Sequence, residues 1–100
     1  MKKYTEIINV SYYFAGEGYS STETASSETV DFPREIESYD ADDYRDFIQD
    51  WTEGHKDEEG RWYKVNVDIY EENADPIVDE PIKSIEFTAS YEDGELKIEA

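Results

Sequence analysis

The chain has 100 residues, 27 Asp and Glu against nine Lys and Arg, a formal net charge of −18 and no cysteine. These values exclude a disulfide scaffold and any thiolate metal site. They also disfavour direct binding to nucleic acid or anionic lipid, since both are polyanions. No run approaches the roughly 20 apolar residues of a membrane-spanning helix. A single domain over residues 1–100 is expected at this length. Glu6, Asn9 and Ser11 interrupt what could have been an apolar signal region after Lys2 and Lys3, so the expected compartment is the cytoplasm.

Such charge with a mean hydropathy of −0.90 would suit a disordered chain. Nine Tyr, four Phe and two Trp argue for a folded one, because each can bury a large area. The acids are uneven. Residues 1–30 hold four acids and two bases, residues 31–60 twelve and three, and residues 61–100 eleven and four.

The first expected element is a strand over residues 4–14, where Ile8, Val10, Tyr12 and Phe14 alternate with Asn9, Ser11 and Tyr13. Gly16-Glu17-Gly18 breaks it. Residues 20–30, rich in Ser and Thr, suit a polar edge strand paired to the first, with a loose loop as the alternative. Pro33 ends that stretch.

A helix is expected over residues 41–53. Asp40 is a good N-cap, and Asp42 and Asp43 fall in the first turn, where the helix dipole favours acids. Tyr44, Phe47, Ile48 and Trp51 form one apolar stripe, and Gly54 supplies the stop. Residues 54–60 read as a charged loop.

Tyr63, Val65, Val67 and Ile69 alternate with polar positions and predict a third strand. Residues 71–81, with Pro76 and Pro81, read as a loop. Ile85, Phe87, Ala89 and Tyr91 predict a fourth strand, Asp93-Gly94 a two-residue hairpin turn, and Leu96 and Ile98 a fifth. That turn places Tyr91 opposite Leu96 and Ala89 opposite Ile98. The expected fold is α+β: an antiparallel sheet of four to five strands with one amphipathic helix packed on one face.

Catalytic constellations are scarce. The single histidine, His55, sits in a polar stretch. Gly16-Glu17-Gly18 lacks the remainder of a phosphate-binding loop, and no serine is framed as a nucleophile elbow. A glycosidase carboxylate pair does not stand out. Residues 40–51 begin like a calcium loop, but Arg45 stands where glycine is needed and Trp51 where a bidentate glutamate is needed. No cofactor, metal or enzymatic activity is expected.

The informative pattern is the outer side of the helix. At about 100° per residue, Asp42, Asp43, Asp46, Asp50 and Glu53 share an arc of roughly 100°, with no positive partner at helical spacing. Like charges so placed destabilise a helix by a few tenths of a kcal/mol per pair, roughly. The plain alternative is a solvated face on an acidic protein, including one adapted to high salt, although nine Ile, nine Tyr and six Lys do not suit salt adaptation. Carboxylates one turn apart repeat about every 5–6 Å, and duplex DNA carries about one negative charge per 1.7 Å of axis, so a phosphate-binding groove could accept them. Asp57, Glu58 and Glu59, and then Asp68, Glu71, Glu72, Asp75, Asp79 and Glu80, would extend the row if the segments that carry them lie beside the helix. Trp62, Tyr70 and Tyr13 fall on the polar faces of their strands and resemble interface anchors, with packing under charged loops as the alternative.

In size and composition this small, cysteine-free, strongly acidic, Tyr-rich chain resembles the DNA-mimic inhibitors of bacteriophages and mobile elements: anti-CRISPR proteins, antirestriction proteins and uracil-DNA glycosylase inhibitors. No diagnostic motif carries the resemblance. It implies a stoichiometric inhibitor, acting in the bacterial cytoplasm on a basic nucleic-acid-binding protein, first of all a Cas effector. The alternative is a structural or adaptor protein of a phage or mobile element, binding through its sheet aromatics.

Overall fold

The computed structural model describes residues 2–14, 20–55 and 61–100. Five strands form one antiparallel sheet: β1 (Lys2–Phe14), β2 (Ser20–Phe32), β3 (Arg61–Glu71), β4 (Lys83–Glu92) and β5 (Glu95–Glu99), in the order β2-β1-β3-β4-β5. The segment between β2 and β3 carries one α-helix, α1 (Arg45–Thr52), which packs across one face. The fold is α+β, as the alternation and the amphipathic stripe predict.

Strand periodicity explains which face is covered. Ile8 and Val10 of β1, Tyr63, Val65, Val67 and Ile69 of β3, and Ile85, Phe87 and Ala89 of β4 all lie inside the core. The four β3 residues are wholly buried, at 0% exposure, because this central strand lies beneath the helix. The alternate positions, Asn9 and Ser11, Lys64 and Asn66, Glu86 and Thr88, form a polar face that no described element covers. An antiparallel sheet can leave one face to water in this way. The β4–β5 turn takes the predicted form: Asp93 (φ 52°) and Gly94 (φ 80°) are both left-handed. Tyr91 pairs with Leu96 and Ala89 with Ile98.

The Ser/Thr-rich stretch is a strand, and longer than its pattern suggests. It pairs with β1 along its length, with one register shift. Ile8 faces Ser26 and Asn9 faces Thr24, so Ala25 is an extra residue. The bulge switches parity. Glu23 before it, and Glu28, Val30 and Phe32 after it, thus share the helix-covered side, and Phe32 is buried in the core.

The helical segment departs from the expected single helix over residues 41–53. Residues Ala41–Tyr44 form a 3-10 turn, α1 follows, and Glu53–His55 form another 3-10 turn. The cause of the tight start is local. Asp40 Oδ1 accepts from the Asp42 N–H at 3.0 Å, Asp43 Oδ2 accepts from the Asp40 N–H at 2.9 Å, and the Asp43 N–H bonds to the Asp40 carbonyl at 3.1 Å. This reciprocal box closes a three-residue turn. Gly54, expected as a left-handed stop, lies inside the second 3-10 turn; among the described residues the glycine at positive φ is Gly94. The buried stripe is also shifted. Tyr44, Ile48 and Thr52 are buried, while Phe47 and Trp51 are half-buried on its flank.

Polar bonds fasten the helix to three strands. The Tyr44 hydroxyl donates to Glu6 on β1 at 2.7 Å, and Arg45 Nη1 donates to the Leu96 carbonyl on β5 at 2.9 Å. Thr52 and Tyr91 of β4 share a hydroxyl–hydroxyl bond of 2.8 Å. Trp51 stacks on Tyr12 of β1, with ring centroids 5.5 Å apart.

Candidate partner-binding surface

The carboxylates divide into groups by position. Asp42, Asp46, Asp50 and Glu53 are exposed along the helical segment. Asp46 and Asp50 stand one turn apart on α1, away from the side that holds Ile48 and Thr52. Asp42 and Glu53 belong to the flanking 3-10 turns, so a uniform 100° wheel places them only approximately. Among the described residues no cation pairs with Asp42, Asp46 or Asp50.

Asp43, expected in the same free row, is committed to the fold. Its Oδ2 caps Asp40, and its Oδ1 accepts from Arg34 Nη2 at 2.8 Å. The Asp40 N–H bond, assisted by the Arg34 guanidinium, holds its carboxyl below the usual carboxylate range. Sequence spacing could not show this, because Arg34 lies in another turn of the chain and meets Asp43 only through tertiary folding.

Other cations on this side are engaged as well. Arg34 also covers the Tyr39 ring at 4.2 Å, Arg45 serves the Leu96 carbonyl, and Lys83 Nζ donates to the Glu37 carbonyl at 3.0 Å. Arg61 lies over the Tyr12 ring at 5.7 Å.

The loop acids do not flank α1. The 72–82 connection leaves the end of the sheet where β1 begins. Tyr4 pairs with Glu71, Thr5 Oγ1 donates to the Glu72 carbonyl at 3.2 Å, and the Ile82 N–H returns to the Ile69 carbonyl at 2.8 Å. The helical segment opens above Glu6, nearby, and runs toward Tyr12. Glu71, Glu72, Asp75, Asp79 and Glu80, all exposed, therefore lie beyond the helix entry, lengthwise along the sheet. Asp68, expected in the same row, is instead on the open face, where it accepts from Asn66 Nδ2 at 2.9 Å and Ser84 Oγ at 2.6 Å. From the level of Tyr4 to that of Tyr12 the sheet runs about 26 Å. Asp57, Glu58 and Glu59 lie outside the described residues.

Three carboxylates missed by the helix-based reading also face this side. Glu6 and Glu28 are directly cross-strand partners, and Glu23 sits opposite Val10. Burial, opposed by the Tyr44 bond and reinforced by Glu28, pushes the Glu6 carboxyl up. Glu23 accepts from the Tyr12 hydroxyl. Burial and Glu23 together raise the Tyr12 phenol, and burial and Glu6 raise that of Tyr44. The parity of Glu6 with Ile8 was visible in the sequence; the positions of Glu23 and Glu28 depended on the bulge.

The sheet aromatics also separate. Trp62 is 38% exposed and stacks flat on Tyr13, with centroids 4.0 Å and planes 7° apart. Tyr70, expected as a second exposed anchor, is buried at 7% exposure. It sits opposite Thr5, at the end of β3 where the connection doubles back. Burial and neighbouring Asp68 raise its phenol. Of the cations on and beside the open face, Lys64 pairs with Glu86 at 3.7 Å and Lys97 with Glu95 at 3.5 Å, while Lys3 lines a hollow with Glu71, Glu72, Asp79 and Glu80.

Among the described residues no group of three or more His, Asp or Glu is arranged to hold a metal ion, and no helix is long and apolar enough to cross a membrane. Comparison with protein-family models, with curated proteins and with solved structures returns no match.

Proposed function

We propose that this chain is a stoichiometric inhibitor that presents carboxylates in place of DNA phosphates and occupies the nucleic-acid groove of a host defence enzyme, with a Cas effector as the first target class. The observation that carries the reading is the set Asp42, Asp46 and Asp50: exposed along one helical segment and, among the described residues, unmatched by any cation. The helix dipole favours Asp42 and Asp46, each in a first turn, but it gives no reason for Asp50, whose repulsion with Asp46 costs a helix a few tenths of a kcal/mol, roughly. Two features support it further. Arg34, Arg45 and Lys83 are spent on the fold, and the loop acids lie at one end of a sheet that runs about 26 Å from Tyr4 to Tyr12, some seven or eight base pairs of duplex at about 3.4 Å each. Lys and Arg of such a groove would accept carboxylates through charge-assisted hydrogen bonds. Opposite charge would speed encounter and make it salt-sensitive. The setting would be the bacterial cytoplasm.

The test is DNA cleavage by a panel of purified, guide-loaded Cas effectors with the chain added at equimolar concentration. Inhibition is expected for at least one effector, and Asp42→Lys, Asp46→Lys and Asp50→Lys combined abolish it while the circular-dichroism spectrum stays unchanged. Inhibition that survives this triple change removes the helix from the contact.

A second reading, an adaptor protein binding through the open sheet face, is favoured by exposed Trp62 stacked on half-buried Tyr13. It requires that Trp62→Ser, and not the triple charge reversal, removes binding.

A further inference from the structure

Two aliphatic side chains stand in solvent at a place where the fold has no use for them. Within the 72–82 connection Ile77 is 91% exposed and Val78 74%. The turn that carries them is well bonded. Asp75 Oδ1 accepts from the Ile77 N–H at 3.0 Å, and the Asp75 carbonyl accepts from the Val78 and Asp79 N–H groups at 3.1 and 2.7 Å. Asp79 Oδ2 accepts in return from the Asp75 N–H at 2.8 Å. Asp followed by Pro is what a tight turn favours at its first two positions. The next positions usually take Asn, Ser or Gly; here they are β-branched and apolar. Single exposed aliphatics are common on surfaces, but this is an adjacent pair at the apex of a turn tied at its base to Ile69 and Thr5.

The surroundings select the occupant. Asp75, Asp79 and Glu80, beside the pair in the chain, are exposed, and Glu71 and Glu72 at the base of the connection line a hollow with Asp79, Glu80 and Lys3. A second copy of a chain with net charge −18 would be repelled, as would an anionic lipid surface. A protein pocket with an apolar floor and a rim of Lys and Arg satisfies both the pair and its acids.

We propose that the 75–79 turn is an anchor, with Ile77 and Val78 inserting into an apolar pocket rimmed by Lys and Arg on the same basic protein that the helix acids engage. The proposal rests on the inhibitor function above and deepens it. Charge contacts weaken as salt rises, and DNA competes for every one of them. An aliphatic anchor adds a contact insensitive to salt that the phosphate backbone cannot reproduce, and a preformed turn adds it at low ordering cost.

The test compares the wild-type chain, the double variant Ile77→Ser with Val78→Ser, and the triple charge reversal. Each is passed over the immobilised guide-loaded Cas effectors of the cleavage panel at 0.1 and 0.5 M salt. The double variant is expected to associate at the wild-type rate but dissociate about 30-fold faster, with the loss persisting at high salt; the triple variant instead associates slowly. Wild-type dissociation by the double variant overturns the anchor and leaves charge mimicry standing. Failure of the wild-type chain to bind any effector overturns both. Self-association in sedimentation, or binding to phosphatidylcholine vesicles, that the double variant removes would assign the pair to a second copy or a lipid and overturn the proposal.

Discussion

Glu6 on β1 and Tyr44, at the end of the turn that opens the helical segment, meet through a 2.7 Å hydrogen bond with the phenol as donor. The bond ties the helix entry to the sheet, yet it places a carboxylate inside the covered layer with Glu28 directly across the ladder. Like charges so paired are unfavourable. Burial is the main reason that the Glu6 carboxyl is raised, and the Tyr44 bond opposes it. Because its folded value lies above the unfolded one, the native state binds more protons across that window. The contribution of Glu6 to stability therefore improves as pH falls from neutrality toward the ordinary glutamate value of 4.5.

Glu6→Gln keeps an acceptor for the Tyr44 hydroxyl and removes the buried charge. It is expected to raise the melting temperature at pH 7, with the advantage shrinking as pH approaches 4.5. Tyr44→Phe is expected to cost roughly 0.5–1.5 kcal/mol. Thermal melts of both variants at pH 4.5 and 7 check this, and a Gln variant less stable than wild type at pH 7 would show that the charge stabilises the fold.

Asp43 is expected to behave unlike its neighbours in the acidic row. Asp43→Ala removes a capping-box acceptor and the Arg34 partner, and should destabilise by about 1 kcal/mol. Its lowered carboxyl supplies stability that is present above the unfolded value and lost as pH falls through the folded one. The difference from wild type should therefore narrow in acid. Urea unfolding at pH 7 and pH 3 measures it.

Asp50→Lys should do the reverse. It replaces the Asp46–Asp50 repulsion with an acid followed by a base at i,i+4, gaining roughly 0.2–0.5 kcal/mol. The wild-type chain itself, with net charge −18, should melt at higher temperature in 0.5 M than in 0.01 M NaCl through screening of self-repulsion. The variant should show less of this salt effect. Scanning calorimetry across salt gives both numbers, and a salt-independent melting temperature would contradict the argument.

Ile48 carries the helix onto the sheet. It is 0% exposed, between the Tyr44 and Thr52 bonds. Ile48→Ala should cost about 2–5 kcal/mol. Loss of the Trp51–Tyr12 stack in the same variant, seen as a red-shifted Trp emission, would locate the damage at the helix. An unperturbed denaturation midpoint would place Ile48 outside the core.

The strands were legible for a definite reason. In β3, β4 and β5 one face is buried and the other is not, so polarity alternates residue by residue. Asp93-Gly94, with both residues able to adopt positive φ, then sets the β4–β5 register within a few residues of chain. These properties are local, and the amino-acid order alone determines them. The same holds for the exposed acids of α1, since helical spacing predicts which of them share a side.

Whatever depends on residues distant in the chain was settled by tertiary structure. The Ala25 bulge decides which face Glu23 and Glu28 occupy, and Ser/Thr-rich polarity carries no alternation that would reveal it. Arg34 removes Asp43 from the free carboxylates through a contact nine residues away. Tyr70 has the same strand parity as Trp62, yet one is buried and the other exposed. A strand pattern specifies a face, whereas the connection packed at one end of that face determines whether water reaches it.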